Sequence, residues 1–479
     1  MAGVAISLKH DVLKRCVFHQ SRGTTMNVIP NDHEASGASG ASENSGYLTN
    51  RRQVWFAFAM TFALMFFDFL DRQVIVSLFP HIKSEWHLSD KQLGSLVSVV
   101  SIVVGAGGLP VALVADRMGR VKSIVVMAVT WSLATISCMF TANYSQLFTA
   151  RAVVGLGETG YGSVGVALIS TLFPKSLRSA ALGAFYAAPS LGSVLGVVLG
   201  GMIAARWGWK AAFGVVGVPG LVLALLYLFV RDYKTVALTP DPNPANQSLG
   251  LTLKRIFGAL ARTRTLLWVC AGASAQLITV SAMWSWLPSY LNRFHGMTPV
   301  AAGKAAALVV LVGAVSCTLW GFVVGRLTRR KPRNKLPALS ALCLVTAVIF
   351  VAAFGGAYAA AIQFKLIVVG GFFMNCTVGV VAGVAMDVVH PGVRSTGAAV
   401  LSLFQNVFGL AVGPVLAGAL SDRWGLQHAL TFIPLCSVLA AVFFVIAMRS
   451  YDTDVARISD VQLDAAPALA DTLSTGTTA

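Results

Sequence analysis

Charge is what this sequence has least of. Only 11% of its 479 residues are Asp, Glu, Lys or Arg, where a soluble domain carries about 25%. With 56% hydrophobic residues beside that shortfall, a water-soluble globule is excluded. Paired cysteines are missing too. Cys16, Cys138, Cys270, Cys317, Cys343, Cys376 and Cys436 stand alone with no CxxC spacing, which argues against a disulfide framework and a zinc site. No metal or other cofactor is expected. HExxH, GxSxG and the phosphate-cradling GxxxxGK[ST] are absent, so metalloprotease, hydrolase and nucleotide-driven chemistries are set aside and no enzyme is expected. Acids are scarce beside bases, 19 against 36, for a net charge of +17. Nucleic acid is still not the expected partner. The basic residues cluster in short loops between apolar runs, where they orient membrane helices and can meet anionic headgroups of the bilayer.

What is present is a series of apolar runs of helix length. About 20 apolar residues span a bilayer as a helix, and barrel strands are half that. Twelve runs are read, at 54–80, 91–115, 122–142, 146–172, 177–204, 210–230, 264–291, 299–326, 336–357, 362–388, 394–420 and 427–448. They predict an all-α integral membrane protein. A polar connection, 232–263, with Pro240, Pro242 and Pro244, separates a six-helix half at 51–231 from a second at 264–448. Residues 1–50 and 449–479 read as tails, the first disordered, with a Ser/Gly/Ala-rich run and no apolar signal segment. Met26 is a second candidate start.

Lys and Arg on the loops of the amino-terminal side outnumber those opposite (Lys83, Lys91, Arg206, Lys210, Arg293, Lys304, Lys365, Arg423) by more than two to one. Both termini are therefore expected in the cytoplasm, in a cell or inner membrane. The halves also echo each other. Arg178-Ser179 and Arg206-Trp207-Gly208 return as Arg394-Ser395 and Arg423-Trp424-Gly425 at a near-constant offset, and Asp116-Arg117…Arg120 is echoed by Gly325-Arg326…Arg329. Two parallel six-helix repeats are the internal symmetry of rocking secondary transporters, with substrate sites near the midplane between halves.

Two charges interrupt the fourth run, ARAVVGLGETGY. Arg151 and Glu158 stand about two turns apart on one face, about 10 Å along the axis. Each charge at the centre of a spanning helix costs about 2.5–3.5 kcal/mol unless it meets protein, water or a partner. The arrangement is either an ion pair stapling helices or a substrate and proton site. In the first run, Asp71 and Arg72 lie at a depth similar to Arg151, and antiparallel spans would let them meet. Glu158 lies deeper, and a buried carboxylate can load and unload a proton. Asp68, one turn before Asp71, is a second protonatable group or a packing acid held neutral.

These segments resemble the major facilitator superfamily. ALVADRMGRVK (112–122) is similar to that superfamily's loop motif after the second helix, departing at Ala112, and APSLGSVLGVVLGG in the fifth span resembles its glycine-rich packing motif. Within it, FFDFLDRQVIVSLFP, ARAVVGLGETGYG and HPGVRSTGAAV are most similar to the spinster branch, which carries lysolipids and sphingoid phosphates. Spinster proteins usually have Asn at the position of Asp68. Anion:cation symporters, which share the Asp-Arg pair and an acid in span four, are the second choice.

The resemblance implies two pseudo-symmetric six-helix bundles working by alternating access, with a small-molecule substrate, protons, and a monomeric state. Glu158, Asp71 and Asp68 are the expected proton-coupling residues. Arg151, Arg72 and Tyr161, with Trp284, Asn375, Gln405 and Asn406 from the half that lacks a midplane charge, are the expected substrate residues. Each of those last four is otherwise an interhelical hydrogen-bonding or packing residue. Asp116, Arg117, Arg120, Asp387 and Arg394 are the expected cytoplasmic gate, unless the basic loops serve topology alone. A proton-coupled carrier of an amphipathic or lipid-like solute leads; an organic-anion symporter for sugar or aromatic acids follows. A receptor or scaffold keeping the fold without transport would tolerate neutralising Glu158.

Overall fold

The computed structural model describes residues 50–118, 120–230, 263–389 and 394–457, and all regular structure among them is helical. Most of the expected tails and of the 232–263 connection lies outside the described residues. The first set of helices is α1 (Arg51–Trp86), α2 (Asp90–Met118), α3 (Arg120–Cys138), α4 (Tyr144–Glu158), α5 (Tyr161–Leu172), α6 (Lys175–Trp207) and α7 (Trp209–Leu226). The second set is α8 (Arg264–His295), α9 (Pro299–Leu327), α10 (Lys335–Gly355), α11 (Ala360–Met374), α12 (Thr377–Asp387), α13 (Arg394–Phe404), α14 (Val412–Trp424), α15 (Leu426–Phe432) and α16 (Leu435–Arg457).

Eleven stretches among the described residues are long and apolar enough to cross a membrane. The α4–α5 pair, too short piece by piece, makes the twelfth crossing end to end. The sequence predicts one helix over 146–172. Instead the chain breaks directly after Glu158, with Thr159 extended and Gly160 in the left-handed region at φ 81°. A residue with a Cβ pays a steric penalty there, so glycine sets the break. Span ten is also interrupted, at Asn375–Cys376 between α11 and α12, there without a positive φ. Thr159 and Asn375 stand at the same offset as Arg178 and Arg394, so the two interruptions are symmetry mates. The last helix runs past the expected Met448 to Arg457. Its final turns are tied down, Asp454 accepting the Thr265 N–H at 2.7 Å and Tyr451 donating to Asp387 at 3.2 Å.

Small residues bring the site's helices together. A Cβ at Gly192 or Gly196 of α6 would overlap the Phe66 or Leu70 carbonyl oxygen of α1, and one at Gly157 of α4 would overlap the Trp131 backbone. In a membrane, where burial of oily surface gives little drive, such close approach is what joins helices. The expected packing motif in span five thus meets the charged helix α1.

The apolar core is continuous across both sets at the end remote from the termini, joining Val74, Phe79 and Leu93 with Trp286, Leu287 and Ala417. Toward the chain-terminal end it divides. One cluster there holds only first-set residues, such as Leu64, Trp131 and Phe185, and another only second-set residues, such as Leu266, Val384 and Phe444. The sets meet mainly along α2–α14 and α6–α9.

Candidate functional site

The charged groups of α1 and α4 meet, in an arrangement only half expected. Arg151 Nη1 donates to Asp71 Oδ2 at 3.0 Å, with both side chains sealed from solvent. Depth matching predicts that pair. It does not predict the second: Arg72 Nε lies 2.9 Å from Glu158 Oε2 and 3.7 Å from Asp68 Oδ1. Glu158 is pulled to Arg72 because the helix ends at Glu158, and Gly155 and Gly157 let α4 sit close to α2 and α3. Asp68 and Arg72 are one turn apart on α1, so they share a face. The ring of Phe69 lies 5.1 Å from the Arg72 guanidinium carbon.

Two guanidiniums therefore serve three carboxylates. Both Glu158 oxygens, one oxygen each of Asp68 and Asp71, and both Arg72 and Arg151 Nε have no hydrogen-bond partner in the protein despite their burial. The Arg72–Glu158 contact is thus close but poorly aligned. Such a network is held by charge more than by geometry, and it can rearrange when one charge changes.

Beside it, between the two sets, is a small cavity of about 70 Å³ lined by Phe69, Arg72, Gln73, Val97, Val100, Ser101, Arg151, Ser281, Trp284, Ser285 and Leu410. Arg72 is the charged residue of the cluster that reaches it most openly, its side chain 19% exposed. Trp284, the expected second-set aromatic, lines the opposite wall, its indole N–H buried and unpartnered. Gln73 Oε1 is likewise unpartnered. Sequence reasoning missed Gln73, Ser281 and Ser285 and picked Asn375, Gln405 and Asn406 instead, because which polar residue of a span faces the cavity depends on how its helix is turned.

The remaining candidates stand elsewhere. Tyr161 does not line the cavity. The break at Gly160 turns it to α1, where its hydroxyl donates to the Thr61 carbonyl at 2.7 Å. Asn375 sits at the span-ten break, Gln405 and Asn406 open a π turn in span eleven, and Asn406 Nδ2 donates to Ser402 O one turn back at 2.9 Å. None of these three lines the cavity. Asp387 accepts from Lys335 Nζ at 2.6 Å and from Tyr451, tying α10, α12 and α16 within the second set. The side chains of Asp116, Arg117, Arg120 and Arg394 lie outside the described residues.

A multi-pass helical membrane protein with two helix sets, symmetry-related breaks and a charged cavity between the sets is built as a secondary transporter. Sequence comparison agrees: the Major Facilitator Superfamily profile matches residues 61–414, and the chain belongs to that family. Protein spinster of Drosophila melanogaster is 27% identical over 396 residues, 78% of this chain, which spans 62% of that protein's length. A zebrafish (Danio rerio) protein, sphingosine-1-phosphate transporter SPNS2, is 27% identical over 79% of this chain and 80% of its own. The hexuronate transporter of Bacillus subtilis is 23% identical over 75% and 86%. Among solved structures, an inward-facing, unoccupied bacterial spinster homolog superposes with TM-score 0.75 at 22% identity, covering 85% of this chain and 99% of that one. A D-xylose–proton symporter superposes at 0.62 with 15% identity, covering 81% and 97%. These two likenesses establish the fold.

Proposed function

We propose that this transporter moves an anionic amphipathic solute by alternating access, coupled to protons, in a cell membrane with both termini in the cytoplasm. One observation carries the coupling: three buried carboxylates share two guanidiniums, leaving one negative charge without a counter-charge. Isolated buried charge is costly, so the cluster has a place for one proton. Solute and Glu158 then compete for Arg72, which makes solute binding and protonation favour each other. When the anionic group of a solute reaches the cavity, Arg72 can pair with it instead of Glu158, and Glu158 takes the proton. When the solute leaves, Arg72 returns and Glu158 gives the proton up.

The cavity walls support an amphipathic solute. Phe69, Val97, Val100 and Leu410 are apolar, while Arg72, Trp284 and Ser285 supply donors. The spinster and sphingosine-1-phosphate relatives point the same way. The hexuronate relative supports a second reading, a sugar-acid or other organic-anion symporter using Arg72 as the carboxylate clamp. Purified protein in proteoliposomes separates them. Under an imposed proton gradient, a lysophospholipid is expected to move and a sugar-acid mixture not, and Glu158→Gln is expected to abolish the gradient dependence. Sugar-acid movement alone selects the second reading. Gradient-driven movement by Glu158→Gln at the unaltered rate removes the coupling role. We also read the protein as a working monomer, which light scattering in detergent tests.

A further inference from the structure

At the end remote from the termini, Asp90 gathers groups from both helix sets. Arg293 of α8 donates two bonds to its carboxylate, at 2.7 and 2.8 Å, in a forked pair. Lys83 Nζ of α1 lies 2.5 Å away, and Ser421 Oγ of α14 donates at 2.5 Å. Asp90 is 2% exposed. It is also the first residue of α2, whose leading N–H groups have no partner within the helix. Those N–H groups are met from the other set. The Asp422 carboxylate accepts the Asp90 and Lys91 backbone N–H at 2.8 and 2.9 Å, a favourable place for an anion at a helix N-terminus.

One face of α14 continues this contact inward. A Cβ at Gly418 would overlap the Asp90 carbonyl oxygen, and one at Gly94 of α2 would overlap that of Pro414. The same Pro414 carbonyl accepts Trp286 Nε1 of α8 at 3.0 Å. Just before α14 the chain makes the π turn Gln405–Leu410, closed by Ala411 N–H on Asn406 O at 2.9 Å. Leu410 lines the cavity, and Gly409 packs on Ser274 and Leu277 of α8. The extra residue in that turn is what sets the register. Each residue of an α-helix advances about 100°. With a regular helix through 405–410, the residues facing α8 beside the cavity and those facing α2 at the far end would no longer be in phase.

We infer that Asp90 is the gating residue of a latch that holds the far ends of the two helix sets together, and that the π turn Gln405–Leu410 sets the phase in which α14 engages it. This rests on the transport reading only in requiring a second state, open at the far end, in which these bonds are broken. It does not depend on what is carried or on protons. The core fits the latched state, continuous between the sets at the far end and divided between them at the other.

Hydrogen–deuterium exchange on the full chain in lipid nanodiscs tests it without a substrate. Asp90→Asn and Arg293→Gln are each expected to raise exchange at the start of α2 and the end of α14 about tenfold, the loss of one charge-assisted bond set. Exchange in α5 and α13 at the terminal end is expected to fall in the same samples, because those ends close as the far ends part. Asp90→Glu, which keeps the charge, is expected to stay near the unaltered pattern. A rise at the far end with no fall at the terminal end makes Asp90 an ordinary staple and overturns the inference. So does an unchanged far end. A failure of transport assays would leave this readout intact, and the reverse also holds.

Discussion

Arg151 and Asp71 form a pair in which neither side chain meets solvent, and removing one partner leaves the other charged and dry. Asp71→Asn is expected to cost about 3–5 kcal/mol, seen as a lower melting temperature in detergent. Replacing both by leucine is expected to restore most of that stability while transport stays lost, because the attraction of such a pair mainly offsets its own desolvation. Glu158 differs. Its contact with Arg72 is misaligned, so Glu158→Gln is expected to melt close to the unaltered protein yet lose gradient-driven movement while retaining substrate exchange. Trp284→Phe keeps the ring and removes the unpartnered indole N–H. Its expected effect is a rise in KM of up to about tenfold with little change in maximal rate, measured in the same proteoliposomes. The residue scale is where the sequence spoke most clearly. Charges inside apolar runs are rare enough to be noticed singly, and Asp68, Asp71, Arg72, Arg151 and Glu158 all fall in one cluster. Depth placed Arg151 beside Asp71, but the Arg72–Glu158 contact was not legible, because it depends on where α4 ends.

At the scale of the element, the interruptions matter more than the helices. Hydropathy averages over a window and passes smoothly across Thr159–Gly160, so spans four and ten read as continuous. Extended Thr159 ends α4 at Glu158, and left-handed Gly160 redirects Tyr161 into packing against Thr61. Gly160→Ala is expected to cost about 1–2 kcal/mol for the left-handed conformation, measured as a lower melting temperature, and to slow transport more than that loss explains. If it transports normally, the break is only a packing detail. The π turn in span eleven is not legible either: VFGLAV (407–412) has no polar residue to mark a face, so a shift of phase leaves no trace in hydropathy. By contrast the α6 glycines were legible, since their four-residue spacing marks one face of a helix that must approach another closely.

Across the whole molecule the apolar core is continuous between the sets at one end and divided between them at the other. The cavity between the sets, about 70 Å³, holds a few waters and no lipid-sized solute, so transport requires the sets to move apart around Arg72 and Arg151. A cysteine in place of Ser281, on the α8 wall of that cavity, is therefore expected to resist a membrane-impermeant thiol reagent applied from the far side. The same cysteine is expected to react when Asp90→Asn is added. The far-side residues Lys83 and Arg293 entered the sequence reading only as a minority of loop charges that fixed orientation. Their contact with Asp90 joins positions hundreds of residues apart, which no local pattern reports.

The sequence by itself determined that this chain is a helical membrane protein of the major facilitator kind, because hydropathy, loop charge and two echoed motifs are local and additive. It also picked out the acids and arginines at depth, since the bilayer makes each one costly. The tertiary structure alone decided the pairing of Arg72 with Glu158, the breaks that place them and the far-side junction at Asp90. Those depend on backbone angles and on contacts between helices distant in sequence, where an ångström of approach decides which charges meet.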